Sequence, residues 1–114
     1  MEITIYHNPR CMKSRQALAL LEGKGCQITV VEYLKNPLSV EQLSKIIEDL
    51  SIKPIDLVRQ KESIWKENYK GKMLSDKDII VAMVNHPKLI ERPIVLGNKG
   101  AVIGRPPENV LSVL

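Results

Sequence analysis

The chain has no phenylalanine and a single tryptophan, Trp65, and aromatic residues make up only 4% of it. Its core therefore has to be packed from aliphatic side chains. It also lacks the dense Lys/Arg runs with interleaved aromatics that stack and track nucleic-acid bases. The net charge is +4, from 17 basic and 13 acidic residues. Scattered lysines read as a solvated surface, and small anionic substrates suit that balance as well as nucleic acid does. No stretch approaches the roughly 20 apolar residues of a membrane span. The two cysteines, Cys11 and Cys26, are too few for the disulfide framework of a secreted domain. No Cys/His cluster has metal-ligand spacing. Glu2 is acidic and the first apolar run is short, unlike a signal peptide. A reducing cytoplasm is the expected compartment.

What is present suits one globular domain. The 114 residues are 44% hydrophobic and 26% charged, enough for a single core. Met1 to Tyr6 reads as a strand, Ser14 to Gly23 as a helix with Ala17, Leu18, Leu20 and Leu21 on one side, and Gln27 to Leu34 as a second strand. That is a βαβ unit, with parallel strands. After Asn36-Pro37, Ser39 and Gln42 form a capping box for a helix reaching Leu50. Pro54 opens a short helix ending near Arg59. Ile64, Trp65 and Tyr69 suggest a helical turn, with Trp65 as a packing anchor. Ser75 and Asp78 form a second capping box, for a helix ending near His86. Arg92 to Leu96 and Ala101 to Gly104 read as a hairpin about the turn Gly97-Asn98-Lys99-Gly100. Pro107 opens a last helix through Val110, Leu111 and Val113. The expected fold is α/β and thioredoxin-like: βαβ…ββα with a mixed four-stranded sheet and helices inserted over about 38–88, all in one domain spanning 1–114.

Cys11 falls where the first strand ends and a helix begins. Helix starts leave unpaired N–H groups and a partial positive charge. These favour the thiolate, which is the reactive form of cysteine, and they attract anions. His7, Arg10, Lys13 and Arg15 lie close in sequence. Two readings follow: a nucleophilic cysteine beside an oxyanion site, or a buried structural cysteine of the kind most free thiols are. The run Cys11-Met12-Lys13-Ser14 has serine where thioredoxin-like redox motifs carry their second cysteine. Cys26 lies beyond a helix of roughly ten residues, hence about 15 Å away, whereas a disulfide needs Cα atoms within about 7 Å. A redox role for Cys11 therefore calls for an external thiol, most simply glutathione or a glutaredoxin.

The segment Tyr6-His7-Asn8-Pro9-x-Cys11-x-x-Ser14-Arg15 resembles the active-site signature of the ArsC-type, glutaredoxin-linked arsenate reductases, a family that also includes the Spx-type transcription regulators. The resemblance continues through Tyr33-Leu34-x-Asn36-Pro37, Leu57-Val58-Arg59, Leu89-Ile90-Glu91-Arg92-Pro93-Ile94-Val95 and Gly104-Arg105-Pro106-Pro107-Glu108, and so covers essentially the whole chain. It implies a catalytic set of Cys11, Arg59, Arg92 and Arg105, supported by His7, Asn8, Ser14, Arg15 and a cis-Pro93. The implied reaction starts with Cys11 thiolate attacking arsenic and displacing water. Glutathione then attacks the adduct, glutaredoxin supplies the second thiol equivalent, and arsenite leaves. Planar guanidinium groups suit a tetrahedral oxyanion: Arg92 and Arg105 would hold it, and Arg59 would stabilise the adduct or the product complex. His7 would aid the thiolate electrostatically. No tightly bound cofactor, membrane or nucleic acid is implied.

Met12 and Lys13 depart from the small residues usual between the signature's Cys and Ser. They bear on access and on the choice of oxyanion. Two further readings stand beside arsenate reduction: a thiol oxidoreductase acting on glutathione mixed disulfides, and an Spx-like regulator that binds RNA polymerase. Ser14 argues against the second, since Spx-type switches use Cys-x-x-Cys. The phosphatase-like arsenate reductases are excluded, because they need Cys-x5-Arg and the sixth residue after Cys11 is Ala17.

Overall fold

Ile3 and Ile5 alternate with Thr4 and Tyr6, a period-two pattern that sends both isoleucines to one face of a strand. In the computed structural model, which describes residues 2–114, they are buried on β1, Glu2–Tyr6. Met1, expected as the first residue of that strand, lies outside the described residues. Helix α1 spans Met12–Glu22. It begins two residues before Ser14 because the extended backbone of Cys11 serves as its N-cap. Its buried residues Ala17 and Leu21 pack with Ile3 and Ile5, and burying a side chain such as Leu21 contributes about 1.5–3 kcal/mol. Gly25, at φ +71°, supplies the left-handed backbone that turns the chain toward β2.

β2 runs over Gln27–Val31 and pairs in parallel with β1. It stops short of Leu34 because the carbonyl of Glu32 accepts from both Lys35 N and Asn36 N, closing a turn. On the other side of β1 lies β3, Ile94–Gly97, which is antiparallel to it; β4, Gly100–Ile103, pairs antiparallel with β3. The sheet is mixed and four-stranded, in the order β2-β1-β3-β4. The expected last helix is a 3-10 segment, Pro107–Val113. Three residues per turn stack Pro107, Val110 and Val113 on one face, and all three are buried. Val110 and Val113 complete the core with Ile3, Ile5, Ala17, Leu21 and Val95. This βαβ…ββ-helix order is the thioredoxin-like plan, with a helical segment between its halves.

The chain divides into two compact units: one reaches Asn36 and resumes at Arg92, and the other is Pro37–Glu91. The second unit holds α2 (Val40–Leu50), α3 (Ser63–Asn68), α4 (Asp76–Asn85) and the 3-10 turns Pro54–Leu57 and Pro87–Leu89. Both expected capping boxes are made: Ser39 Oγ accepts from Gln42 N at 3.1 Å and Ser75 Oγ from Asp78 N at 3.1 Å. Each satisfies an otherwise orphaned N–H at a helix start. α4 packs on α2 and on both 3-10 turns. A lone antiparallel bridge joins Val58 to Ile90. Trp65 is buried and stacks on Tyr69 with ring centroids 5.3 Å apart. No helix among the described residues is long and apolar enough to cross a membrane.

Candidate active site

The sheet register gathers the chemistry of the first unit at one end. Val31, Tyr6, Ile94 and Ile103 form one row across the four strands. The pairing extends one step further, because His7 N donates to Val31 O at 2.8 Å and Gly104 N donates to Pro93 O at 2.8 Å. The loop leading to Cys11, the segment Arg92-Pro93 before β3 and Gly104-Arg105 after β4 therefore emerge from the same edge. Open α/β sheets place ligands at such ends. Gly104 is required for this approach: a Cβ there would lie 2.8 Å from Pro93 Cγ and 2.9 Å from Val110 Cγ1. Pro93 is cis, as the signature implies, and Pro106 is cis as well.

The cysteine loop is held from several directions. Asn8 Oδ1 accepts from Arg10 N at 3.0 Å, and Asn8 O accepts from Cys11 N at 3.0 Å, so Asn8 folds the loop about itself. Such side-chain turns are the local talent of asparagine. Ser14, fully buried in the first turn of α1, accepts from Asn8 N at 3.1 Å, and its Oγ lies 2.6 Å from His7 Nδ1. Arg15 Nη1 donates to Pro9 O at 2.9 Å. The hydroxyl that stands in place of a second cysteine thus ties the helix to the loop.

Cys11 occupies the N-cap, where Ser or Asp would ordinarily accept from the second or third N–H of the helix. Its sulfur makes no full capping hydrogen bond. Burial pushes the thiol's pKa up and is the largest single influence on it. The N–H of Ser14, the Arg92 guanidinium (by hydrogen bonding and by charge) and the N–H of Lys13 act the other way, and together they bring it below its ordinary value. The side chain is nonetheless mostly covered, with the residue 8% exposed. The result is a sheltered sulfur biased toward the thiolate. Arg92 Nε is buried and, among the described residues, has no hydrogen-bond acceptor. Arg105 is exposed, and its Nε donates to Arg92 O at 3.0 Å.

Cys11, Arg92, Arg105, His7, Asn8, Ser14, Arg15 and Pro93 are all at this end of the first unit. Arg59 belongs to the second unit, where its Nη1 pairs with Glu62 Oε1 at 2.7 Å and its backbone N–H donates to Leu89 O. His7 is buried, and that burial lowers its pKa; Glu32 opposes the shift and Arg15 adds to it. The shift favours the neutral imidazole, whose Nδ1 lies 2.6 Å from Ser14 Oγ. Met12 is 62% exposed beside the nucleophile.

The model of the ArsC family matches residues 6–113. The chain belongs to the ArsC family. It is 44% identical over 116 residues to an arsenate reductase of Haemophilus influenzae, covering all of both chains. It is 46% identical over 115 residues to an Escherichia coli K12 protein named uncharacterized protein YfgD, covering 99% of this chain and 97% of the other. A solved arsenate reductase from Vibrio cholerae superposes with a TM-score of 0.95 at 47% identity, over all of this chain and 98% of that one. The thioredoxin-like fold of this ArsC member is thus shared with solved relatives along its whole length.

Three features of the ArsC site escaped the sequence reading. The cis bond at Pro106 had no signal apart from the proline itself. The tie between Arg105 and Arg92 spans 13 positions and depends on strand register. A cleft on the other flank of the cysteine loop, toward Glu32, Leu34 and Lys35, follows from the pairing of Val31 with Tyr6, a register the sequence does not signal.

Proposed function

We propose that this chain reduces arsenate to arsenite, with glutathione as thiol co-substrate and glutaredoxin as protein partner. The reading rests chiefly on the Arg92 guanidinium lying against a thiolate-biased Cys11 at a helix N-cap. One cation can then stabilise the nucleophile and draw in the oxyanion it attacks. Relatives named arsenate reductase at 44% and 47% identity support the same substrate.

In the first step the Cys11 sulfur bonds to arsenic and one arsenate oxygen leaves as water, taking up two protons. Arsenic stays pentavalent in this adduct. Glutathione then attacks, and glutaredoxin supplies the second thiol equivalent. Over a full turnover, one arsenate and two thiols become one arsenite, one disulfide and one water. Arsenic gains the two electrons that sulfur loses. Arg92 and Arg105 hold the oxyanion, and Arg59 is assigned to the adduct or product on the family resemblance. His7, Asn8, Ser14 and Arg15 keep the loop in place, and Pro93 carries Arg92. No tightly bound cofactor is needed, and a reducing cytoplasm supplies the thiols.

The test is arsenate-dependent NADPH oxidation coupled through glutathione reductase, glutathione and glutaredoxin. Oxidation should depend on arsenate, vanish in Cys11→Ser and persist in Cys26→Ser. Reduction of glutathione mixed disulfides without any arsenate-dependent oxidation would replace this reading with a plain thiol oxidoreductase.

A further inference from the structure

The strand order puts two neighbours beside the Cys11 loop, and they differ in chemistry. On the β3 side stand Arg92 and Arg105, two cations suited to an oxyanion. On the β2 side the chain leaves Val31, the partner of Tyr6, and turns through Glu32 to Lys35. Between that turn and the loop lies a cleft of about 220 Å³ lined by residues of both. Pro9 and Leu34 give it apolar wall; Arg10 and Lys35 bring positive charge, and Glu32 a carboxylate. The charge of Glu32 reaches His7 on the inner wall, where it opposes the effect of burial on the imidazole. Lys35 Nζ and Glu32 Oε1 are 3.5 Å apart across a solvated pair, and such surface pairs are weak enough to be redirected by a ligand.

This composition is selective. A plain oxyanion would meet Glu32 as a repulsive group, and an amine alone would meet Arg10 and Lys35. A group carrying both charges on one carbon, the ammonium and carboxylate of an α-amino-acid head, complements the set. The volume is below the range of about 300–1,000 Å³ typical of pockets that enclose a whole small ligand. It suits one end of a longer molecule whose remainder extends elsewhere. The cleft shares residues 7–10 with the loop that ends at Cys11, so a ligand seated there rests on the same loop that carries the nucleophile.

The geometry points to this cleft as the seat for the zwitterionic α-amino-acid head of the thiol co-substrate, the γ-glutamyl end of glutathione. The inference rests on the proposed thiol-dependent reaction for its ligand. It divides the two reactants between the flanks of Cys11: the oxyanion on the β3 side and the thiol peptide on the β2 side. Glu32 takes the ammonium, and Lys35 with Arg10 takes the carboxylate.

The test uses S-methylglutathione, which keeps both charged ends but cannot react, titrated into the full chain and followed by amide NMR shifts. Saturable shifts should cluster at His7, Leu34 and Lys35 and leave the β3–β4 hairpin still. Glu32→Gln and Lys35→Ala, both at exposed or half-exposed positions, should each weaken binding about tenfold, the loss of one charge-assisted hydrogen bond. An analogue of S-methylglutathione lacking the α-ammonium should bind Glu32→Gln at least as tightly as wild type, because the carboxylate that remains no longer meets a like charge, and a merely structural role for Glu32 would not produce this reversal. No saturable shift, shifts confined to the Arg92 side, or equal affinity of the two variants and wild type for S-methylglutathione would overturn the assignment. Because this titration needs no turnover, it is independent of arsenate. Cleft binding without arsenate-dependent NADPH oxidation would remove the proposed reaction and leave the site standing. The reverse would remove only the site.

Discussion

Arg105 Nε donates to the main-chain carbonyl of Arg92 at 3.0 Å, across the mouth of the β3–β4 hairpin. One guanidinium thereby braces the backbone that carries the other, and Arg92 in turn lies against Cys11. Charge alone does not reproduce this: lysine has no Nε–H fixed in a planar fork. Arg105→Lys should lower arsenate turnover and slow Cys11 alkylation, because Arg92 loses its brace. Equal alkylation rates in variant and wild type would separate the two arginines.

Removing Arg92 should act on the nucleophile directly. In Arg92→Ala the thiol loses a hydrogen bond and a neighbouring charge while remaining buried, so its pKa should move up. The pH profile of iodoacetamide alkylation reads that shift. Turnover should fall about 10²- to 10³-fold, the usual cost of deleting one preorganised electrostatic donor.

Stability should rise with pH in two separate windows. The folded Cys11 has a lowered thiol pKa, so between that value and the ordinary one the unfolded chain binds more protons. Stability from the thiolate is complete above the ordinary thiol value and is lost as pH falls through the lowered one. His7 has a lowered imidazole pKa, chiefly from burial. The same sign applies there, with loss on acidification below the ordinary imidazole range. Urea denaturation at a series of pH values should show both slopes. Cys11→Ser should remove the upper one and His7→Gln the lower.

Ser14→Ala should destabilise by about 1–3 kcal/mol, because it leaves the buried His7 ring nitrogen and Asn8 N–H without their shared partner. Ser75→Ala, in the second unit, should cost about 1 kcal/mol through the lost cap of α4. Ser14→Ala should also slow Cys11 alkylation, as the loop loosens from α1. Urea midpoints and alkylation rates together check both variants.

Gly104→Ala should be costlier than its exposure to helix or strand propensity suggests. The added methyl meets the Pro93 ring and Val110, and overpacking of this kind costs about 1–3 kcal/mol. The displaced Pro93 adjoins Arg92, so the thiol's alkylation profile should move with the denaturation midpoint.

Local chemistry was legible in the sequence, and register was not. The two capping boxes need only four residues each, and both form as expected. Alternation in Ile3-Thr4-Ile5-Tyr6 was enough to place β1. The end of β2 is harder to read, because Tyr33 and Leu34 suit a continuing strand while the chain already turns there on hydrogen bonds from Lys35 N and Asn36 N to the Glu32 carbonyl. The final segment carried a helical pattern that fits two windings, and the three-residue spacing of Pro107, Val110 and Val113 decided for the tighter one. At the site, the residues of the loop were legible from their signature. Their partners were less so: the role of Ser14 as a tie to His7 and Asn8, and the cleft beside Glu32, arise only once β1 and β2 are aligned.

The position of Cys26 has a consequence for supply. It lies just before β2, beyond the full length of α1, whose 11 residues span about 16 Å. In the proposed reaction the chain thus brings one reacting sulfur and no second thiol beside it. Working alone it would stop after a single bond-making event, and its pace would be set by delivery from outside. Expressed in a cell, its capacity would scale with the pool of small thiols and their recycling enzymes rather than with its own abundance, and raising the level of the protein by itself would yield diminishing returns.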